Sequence, residues 1–238
     1  MHIFYCPNII SNSATLSPEE SVHCIRVLRL GKGDVVTLID GKGGMFEAII
    51  STTDAKQCQL EIIGSLPVPP ARNFSLHIAI APTKNMDRFE WFIEKAVEIG
   101  IDTITPLLCQ RSERRVLKTD RLHKMIISTM KQAMVPYLPV LNELTDYKKL
   151  IEAFSGLTCS RFIAHCEESE RKKLKNELTP GSDVIILIGP EGDFSPEEIK
   201  LATGNGFIPV SLGNNRLRTE TAGIVACNTV SLTNDLPA

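Results

Sequence analysis

Two short segments near the C-terminal end carry residue types, at a spacing, that could do chemistry. Gly189-Pro190-Glu191-Gly192-Asp193-Phe194 follows the apolar run that ends in Ile188, and Leu212 to Ala222 (LGNNRLRTETA) follows a second short apolar run. In a parallel sheet, ligands bind in the crevice beyond the carboxyl ends of the strands, so two glycine-bearing loops at that edge predict a cofactor rim. Leu217 to Ala222 compresses an arginine, two threonines and a glutamate into a strand-to-helix junction. Burying charge there is costly unless it faces a ligand or partner. Helix capping accounts for Thr219 and Glu220, because an oxygen and a negative charge both suit a helix N-terminus. It leaves Arg218 and the Leu212-Gly213 turn unexplained.

Plainer readings of the same residues stay open. Gly189 and Gly192 could serve only to let a strand turn tightly into a helix, since glycine suits a tight turn and a close ligand approach alike. Ser195, Pro196 and Glu198 read as an N-cap, a first helical position and the glutamate of a capping box, which makes Ser195 and Glu198 structural. Neither loop matches the dinucleotide or P-loop glycine patterns. The seven cysteines are scattered, with no pair at zinc-ligand spacing, so no metal site is predicted.

The elements that must position these loops fall into two textures. From Met1 to about Leu66, short apolar runs (VVTLID from Val35, MFEAII from Met45, QLEIIG from Gln59) are broken by turn residues, which predicts a small β barrel or sandwich. LPVPPARN, Leu66 to Asn73, carries three prolines and is the expected linker, placing one domain over 1–68 and another over 74–238. After it, strands and helices alternate. FSLHIAIA from Phe74 leads to a helix with Phe89, Phe92, Ile93, Ala96 and Val97 on one face, ending at Gly100. A strand is expected over 101–108, a helix over 120–134, strands near 161–165, 184–188 and 207–212, and a last helix over 220–232. That alternation predicts an α/β domain with a mostly parallel, helix-covered sheet.

Composition limits the function. An apolar content of 43% supports a real core, and a net charge of -2 excludes a chain that grips polyanions by bulk charge. Any nucleic-acid contact must come from local patches. The start lacks a signal-peptide pattern and no apolar run is long enough to span a bilayer, so a soluble, cytoplasmic protein with no membrane partner is expected.

The loops resemble one known family. GPEGDFSPEE (Gly189 to Glu198) and LGNNRLRTETA are similar to the GPEGGF and LGxRILRTETA signatures of the RsmE-type ribosomal RNA uracil-N3 methyltransferases, of the SPOUT class. His23, Val27, Leu28, Arg29, Gly33 and Asp34 resemble its N-terminal PUA-like domain. Lys95, Ala96, Glu98, Ile99, Gly100, Ile104, Pro106 and Arg111 resemble its central segment. The resemblance implies a SPOUT-type parallel sheet with a C-terminal trefoil knot, preceded by a small PUA-like β-barrel domain. It implies S-adenosylmethionine as cofactor, bound at Ile188, Gly189, Gly192, Leu212, Gly213, Leu217, Arg218, Thr219 and Ala222, with His165 or Cys166 from an earlier strand end. It also implies a homodimer that methylates N3 of uridine 1498 in 16S ribosomal RNA of the small subunit, acting on the assembled 30S particle. Asp193 stands where that family has a glycine, Asn215 where an arginine is common, and KQAMVPYLP from Lys131 lacks an arginine after its glutamine.

For such a reaction Arg218 is the expected stabiliser of charge developing on the base, and Glu220 or Glu191 the expected general base, a part that water could also play. Arg26 and Arg29 in the first domain, and Arg111, Arg114 and Arg115 in the second, are the expected phosphate contacts. Charge pattern alone fits solvated helix faces equally well. The run from Arg171 to Lys175 is expected to be a solvated helix. Three competing functions are a SPOUT enzyme acting on another RNA such as tRNA, a non-catalytic RNA-binding protein, and a small-molecule α/β enzyme.

Overall fold

The computed structural model describes residues 1–167 and 170–235; residues 236–238, the end of the second expected domain, lie outside the described residues. The chain divides into two compact units, Met1–Ala71 with Ile127–Leu138, and Arg72–Ile126 with Pro139–Ala238. No described helix is long and apolar enough to cross a membrane.

In the first unit, β1 (Ile3–Tyr5), β2 (Ile9–Ile10) and β3 (Ser13–Thr15) precede α1 (Pro18–Val22), whose end continues as a π-helical turn over His23–Val27. Ser17 caps α1 by accepting the Glu20 N–H, with Pro18 at the first helical position. The three apolar runs form β4 (Val35–Ile39), β5 (Met45–Thr52) and β6 (Gln59–Ser65). All six strands make one sheet, in the order β1-β4-β5-β6-β3-β2, curled as a half-barrel. Phe4, Leu16, Cys24, Leu38, Ile50 and Leu60 are buried together in the core of this unit. Ile127–Leu138 is tied into this unit by ladder-like bonds, Gly43 N–H to the Pro136 carbonyl and Leu138 N–H to that of Gly41. Lys131 adds an ion pair to Glu20 at 2.6 Å.

The second unit contains β7 (Leu76–Ile80), α2 (Met86–Ile99), β8 (Thr103–Leu108), the first part of α3 (Asp120–Gln132), β9 (Val140–Leu141), β10 (Thr145–Asp146) and α4 (Tyr147–Phe154). It continues through β11 (Ser160–Ala164), β12 (Lys172–Lys173), α5 (Leu174–Glu177), β13 (Val184–Ile188), α6 (Pro196–Gly204), β14 (Ile208–Ser211) and α7 (Thr219–Asp235). The strands pair in parallel in the order β10-β8-β7-β13-β11-β14-β12, with β9 also on β8. Every residue of β13 is buried, as expected of an interior parallel strand covered on both faces. The expected solvated helix from Arg171 is instead the two-residue strand β12 followed by the single turn α5.

Because all these strands point the same way, the loops after β7, β8, β11, β13 and β14 gather at one edge. α2 begins there, capped by the Asn85 side chain, and buries Phe89, Phe92, Ile93, Ala96 and Val97 at the helical repeat. Gly100, at φ 105°, stops it in the left-handed conformation. α7 also starts at this edge and lies against α2. A Cβ on Gly223 would sit 2.5 Å from the Phe92 ring and 2.9 Å from Ile80 Cδ1, so glycine is what lets the two helices approach.

Gly223→Ala therefore tests the packing. Overpacking costs about 1–3 kcal/mol and removing a mid-helix glycine returns about 1 kcal/mol, so the net expectation is a loss of up to about 2 kcal/mol in denaturant unfolding. A gain in stability would show that Phe92 has room to move.

Candidate functional site

A cavity of about 350 Å³ opens at the carboxyl ends of β11, β13 and β14. It lies within the roughly 300–1,000 Å³ typical of small-molecule sites. His165, Ile188, Gly189, Leu212, Gly213, Leu217, Arg218, Thr219 and Ala222 all line it, as do Glu191 and Glu220. Gly192 does not line it; its Cα faces Arg111, whose Cβ would be 3.4 Å from a Cβ there.

The two loops are locked to each other. Thr219 Oγ1 donates to the Gly189 carbonyl at 3.1 Å, so its hydroxyl joins the loops instead of capping its own helix. Gly189 lets its own loop fold closely on itself, since a Cβ there would lie 3.1–3.2 Å from the Phe194 ring and backbone. At Gly213 the requirement is different. Its φ of 152° is one L-residues rarely adopt, and an added Cβ would meet no protein atom, so the position is open space beside the cavity.

Asp193 has a physical explanation in place of glycine. Its φ is 62°, a left-handed conformation that aspartate tolerates better than most residues. Its carboxylate accepts from the Cys166 N–H at 2.7 Å and the Phe194 N–H at 2.8 Å, stitching the end of β11 to the loop after β13. Beside it, His165 is buried and neither ring nitrogen has a hydrogen-bond partner among the described residues. Burial pushes its pKa down, against the opposing pull of Asp193. At neutral pH the ring is then neutral, a donor on one nitrogen and an acceptor on the other, with both nitrogens buried in the wall of the cavity.

The capping box at Ser195 is present, with Ser195 Oγ accepting from Glu198 N–H and Glu198 Oε2 from Ser195 N–H. Glu198 reaches further. Its Oε1 accepts the Gln110 N–H at 2.7 Å, and its carbonyl accepts the Tyr147 hydroxyl at 2.8 Å. Burial, with the Glu198 charge beside it, pushes the Cys109 thiol well up, so that sulfur is a buried neutral group.

The second-unit arginines expected on RNA have intramolecular partners. Arg111 donates to the carbonyls of Gly192 and Phe194, Arg114 to those of Thr83 and Lys84, and Arg115 to that of Gln110 at 3.4 Å. Glu191, one candidate base, accepts the Lys84 N–H at 2.9 Å. Glu220, the other, is buried and pairs with Arg88 at 3.8 Å. Arg26 and Arg29 are exposed in the first unit, Arg29 at φ 57°. Sequence reading missed Arg88, Arg171 and Arg216 as cavity residues. Arg171 donates to the His165 carbonyl.

Residues 70–231 match the RNA methyltransferase domain model and residues 16–63 the RNA methyltransferase PUA domain model. Ribosomal RNA small subunit methyltransferase E of Synechocystis is 30% identical over 92% of this chain and 72% of its own length. The chain belongs to the ribosomal RNA small subunit methyltransferase E family. It is therefore an RNA methyltransferase with a PUA-like domain. Among solved structures, a probable rRNA-methyltransferase from Porphyromonas gingivalis is 40% identical with TM-score 0.89, covering 98% of each chain. The family member from Neisseria gonorrhoeae, bound to S-adenosyl methionine, is 26% identical with TM-score 0.85, again over 98% of each.

Arg111 is expected to hold the loop after β13. Losing its two backbone hydrogen bonds at an exposed site should cost about 1–2 kcal/mol locally, so in Arg111→Ala amide exchange over residues 190–195 should rise roughly tenfold. Both bonds leave one guanidinium nitrogen, Nη1, so Arg111→Lys, whose ammonium also carries several N–H groups on one nitrogen, should recover part of the protection. Unchanged exchange in the alanine variant would remove Arg111 from this role.

Proposed function

We propose that this chain transfers the methyl group of S-adenosylmethionine to N3 of a uridine in 16S ribosomal RNA, in the cytoplasm, as a homodimer acting on the assembled small subunit. The observation that carries the reading is the cavity itself, where both signature loops and the end of β11 converge. Its chemistry fits the cofactor. A side-chain-free opening at Gly213 and apolar walls at Ile188, Leu212 and Leu217 suit a nucleoside with a flat apolar face, whose edges the loop backbone can meet.

Bound there, S-adenosylmethionine supplies a methyl on a sulfonium sulfur, so N3 gains the C–N bond, the C–S electron pair stays on sulfur, and one N3 proton must leave. The chain's residues divide the remaining work. Gly189, Leu212, Gly213, Leu217 and Ala222 hold the cofactor largely through backbone, with His165 beside them at the end of β11. Arg218, exposed at the cavity wall, stabilises negative charge developing on the base. Glu220 is the better candidate to take the proton, because Glu191 already braces the Lys84 amide.

The C-terminal trefoil knot belongs to the same reading; a β11 placed between β13 and β14, both later in the chain, supports it. In the homodimer, α7 can offer Leu232 and partly Ile224 and Val225, whereas Val230 is already buried in its own subunit. The exposed Arg26 and Arg29 are the better RNA grips, since Arg111 and Arg114 are engaged with loop carbonyls.

Mass mapping of modified nucleosides in small-subunit ribosomal RNA, after incubation with the protein and S-adenosylmethionine, is the test. The expected product is N3-methyluridine at one position, and Arg26→Ala/Arg29→Ala should lower RNA affinity with a shallower salt dependence while cofactor affinity is kept. Methylation of tRNA alone, or cofactor binding with no methyl transfer to any RNA, would overturn the assignment.

A further inference from the structure

We propose that Arg88, on α2 and outside both signature loops, is the positioning residue that holds Glu220 as an oriented carboxylate at the cavity wall. This rests on the methyltransferase reading of the cavity above and on Glu220 as its base. Arg88 Nε lies 3.8 Å from Glu220 Oε1, and both residues line the cavity. The Glu220 side chain is only 8% exposed and that of Arg88 is 43% exposed, so a nearly buried carboxylate is met by a cation that reaches in from the rim. A carboxylate so placed is costly to keep ionised unless a partner compensates it.

The packing of the two helices sets the pair. Phe92 lies one turn after Arg88 on α2, and Gly223 one turn after Glu220 on α7. Close contact of Phe92 with Gly223 brings the first turns of these helices together, and both turns start at the carboxyl edge of the sheet. Arg88 is thereby aimed at Glu220 by core packing that the signature loops do not control. Proton transfer needs the acceptor held in a fixed orientation within hydrogen-bond reach of N3–H, and Arg88 contributes the orientation through Glu220 without touching the uracil.

The experiment is a double-mutant cycle read by single-turnover methyl transfer to assembled small subunits, with S-adenosylmethionine affinity measured by calorimetry. Glu220→Gln should slow transfer by about 10²-fold or more, as loss of a general base does. Arg88→Ala should slow it roughly tenfold or more with cofactor affinity kept, Arg88→Lys should recover part of that loss, and Arg88→Ala should add nothing in the Glu220→Gln background. Full activity of Arg88→Ala, an additive double variant, or a loss confined to cofactor affinity would each overturn the proposal. If Glu220→Gln keeps wild-type turnover, the assignment of the base fails on its own, independently of Arg88. Should Arg88→Ala fail to fold, the Arg88→Lys and Arg88→Gln variants, of similar length, carry the same cycle.

Discussion

A parallel sheet satisfies its own backbone in the interior and leaves the loops at its carboxyl edge with unpaired amides and carbonyls. Everything at this site depends on how those groups find partners without a regular ladder. Here the partners are side chains from neighbouring loops. Arg111 serves the carbonyls of Gly192 and Phe194, Arg114 those of Thr83 and Lys84, Glu191 the Lys84 amide, and Glu198 the Gln110 amide. The loops after β7, β8 and β13 are in effect one cross-braced layer. Asp193 extends the bracing to the end of β11, and Thr219 extends it to the start of α7.

This gives the basic residues of the second unit a structural role that charge pattern alone does not show. A guanidinium near loop carbonyls gains charge-assisted hydrogen bonds of fixed geometry, which an RNA phosphate would have to match. Arg111 and Arg114 therefore belong first to the structure of the pocket. Arg26 and Arg29 differ in kind: they are exposed, and they flank the end of a π-helical turn in a compact β unit.

Much was legible in the sequence where local physics decides alone. The α2 stripe, its Gly100 stop and the capping box at Ser195 are written in periodicity and cap residues, and each appears where expected. The apolar runs of β4, β5, β6 and β13 are equally direct. Elements of two or three residues, β1, β2, β3, β9, β10 and β12, are too short to show a period at all. The two loops lining the cavity were legible because glycine and charge are unusual together at a strand end. Arg88, Arg171 and the bracing by Arg111 were not. Their positions follow from which strands lie side by side and from how closely α7 packs on α2, and neither is encoded within a few residues of those arginines.

The departures from the usual loop sequence show which constraint is strict. At Asp193 the backbone conformation is what must be kept, and aspartate keeps it while its carboxylate adds two amide partners. At Gly189 the constraint is space, since a Cβ would crowd Phe194 at 3.1–3.2 Å, and at Gly213 it is both backbone conformation and the opening beside the cavity. A left-handed position can be filled by a side chain that repays its strain with hydrogen bonds. A position defined by close approach has no such substitute. The pocket can therefore absorb a change on its braced outer loop more readily than on the faces that define its volume.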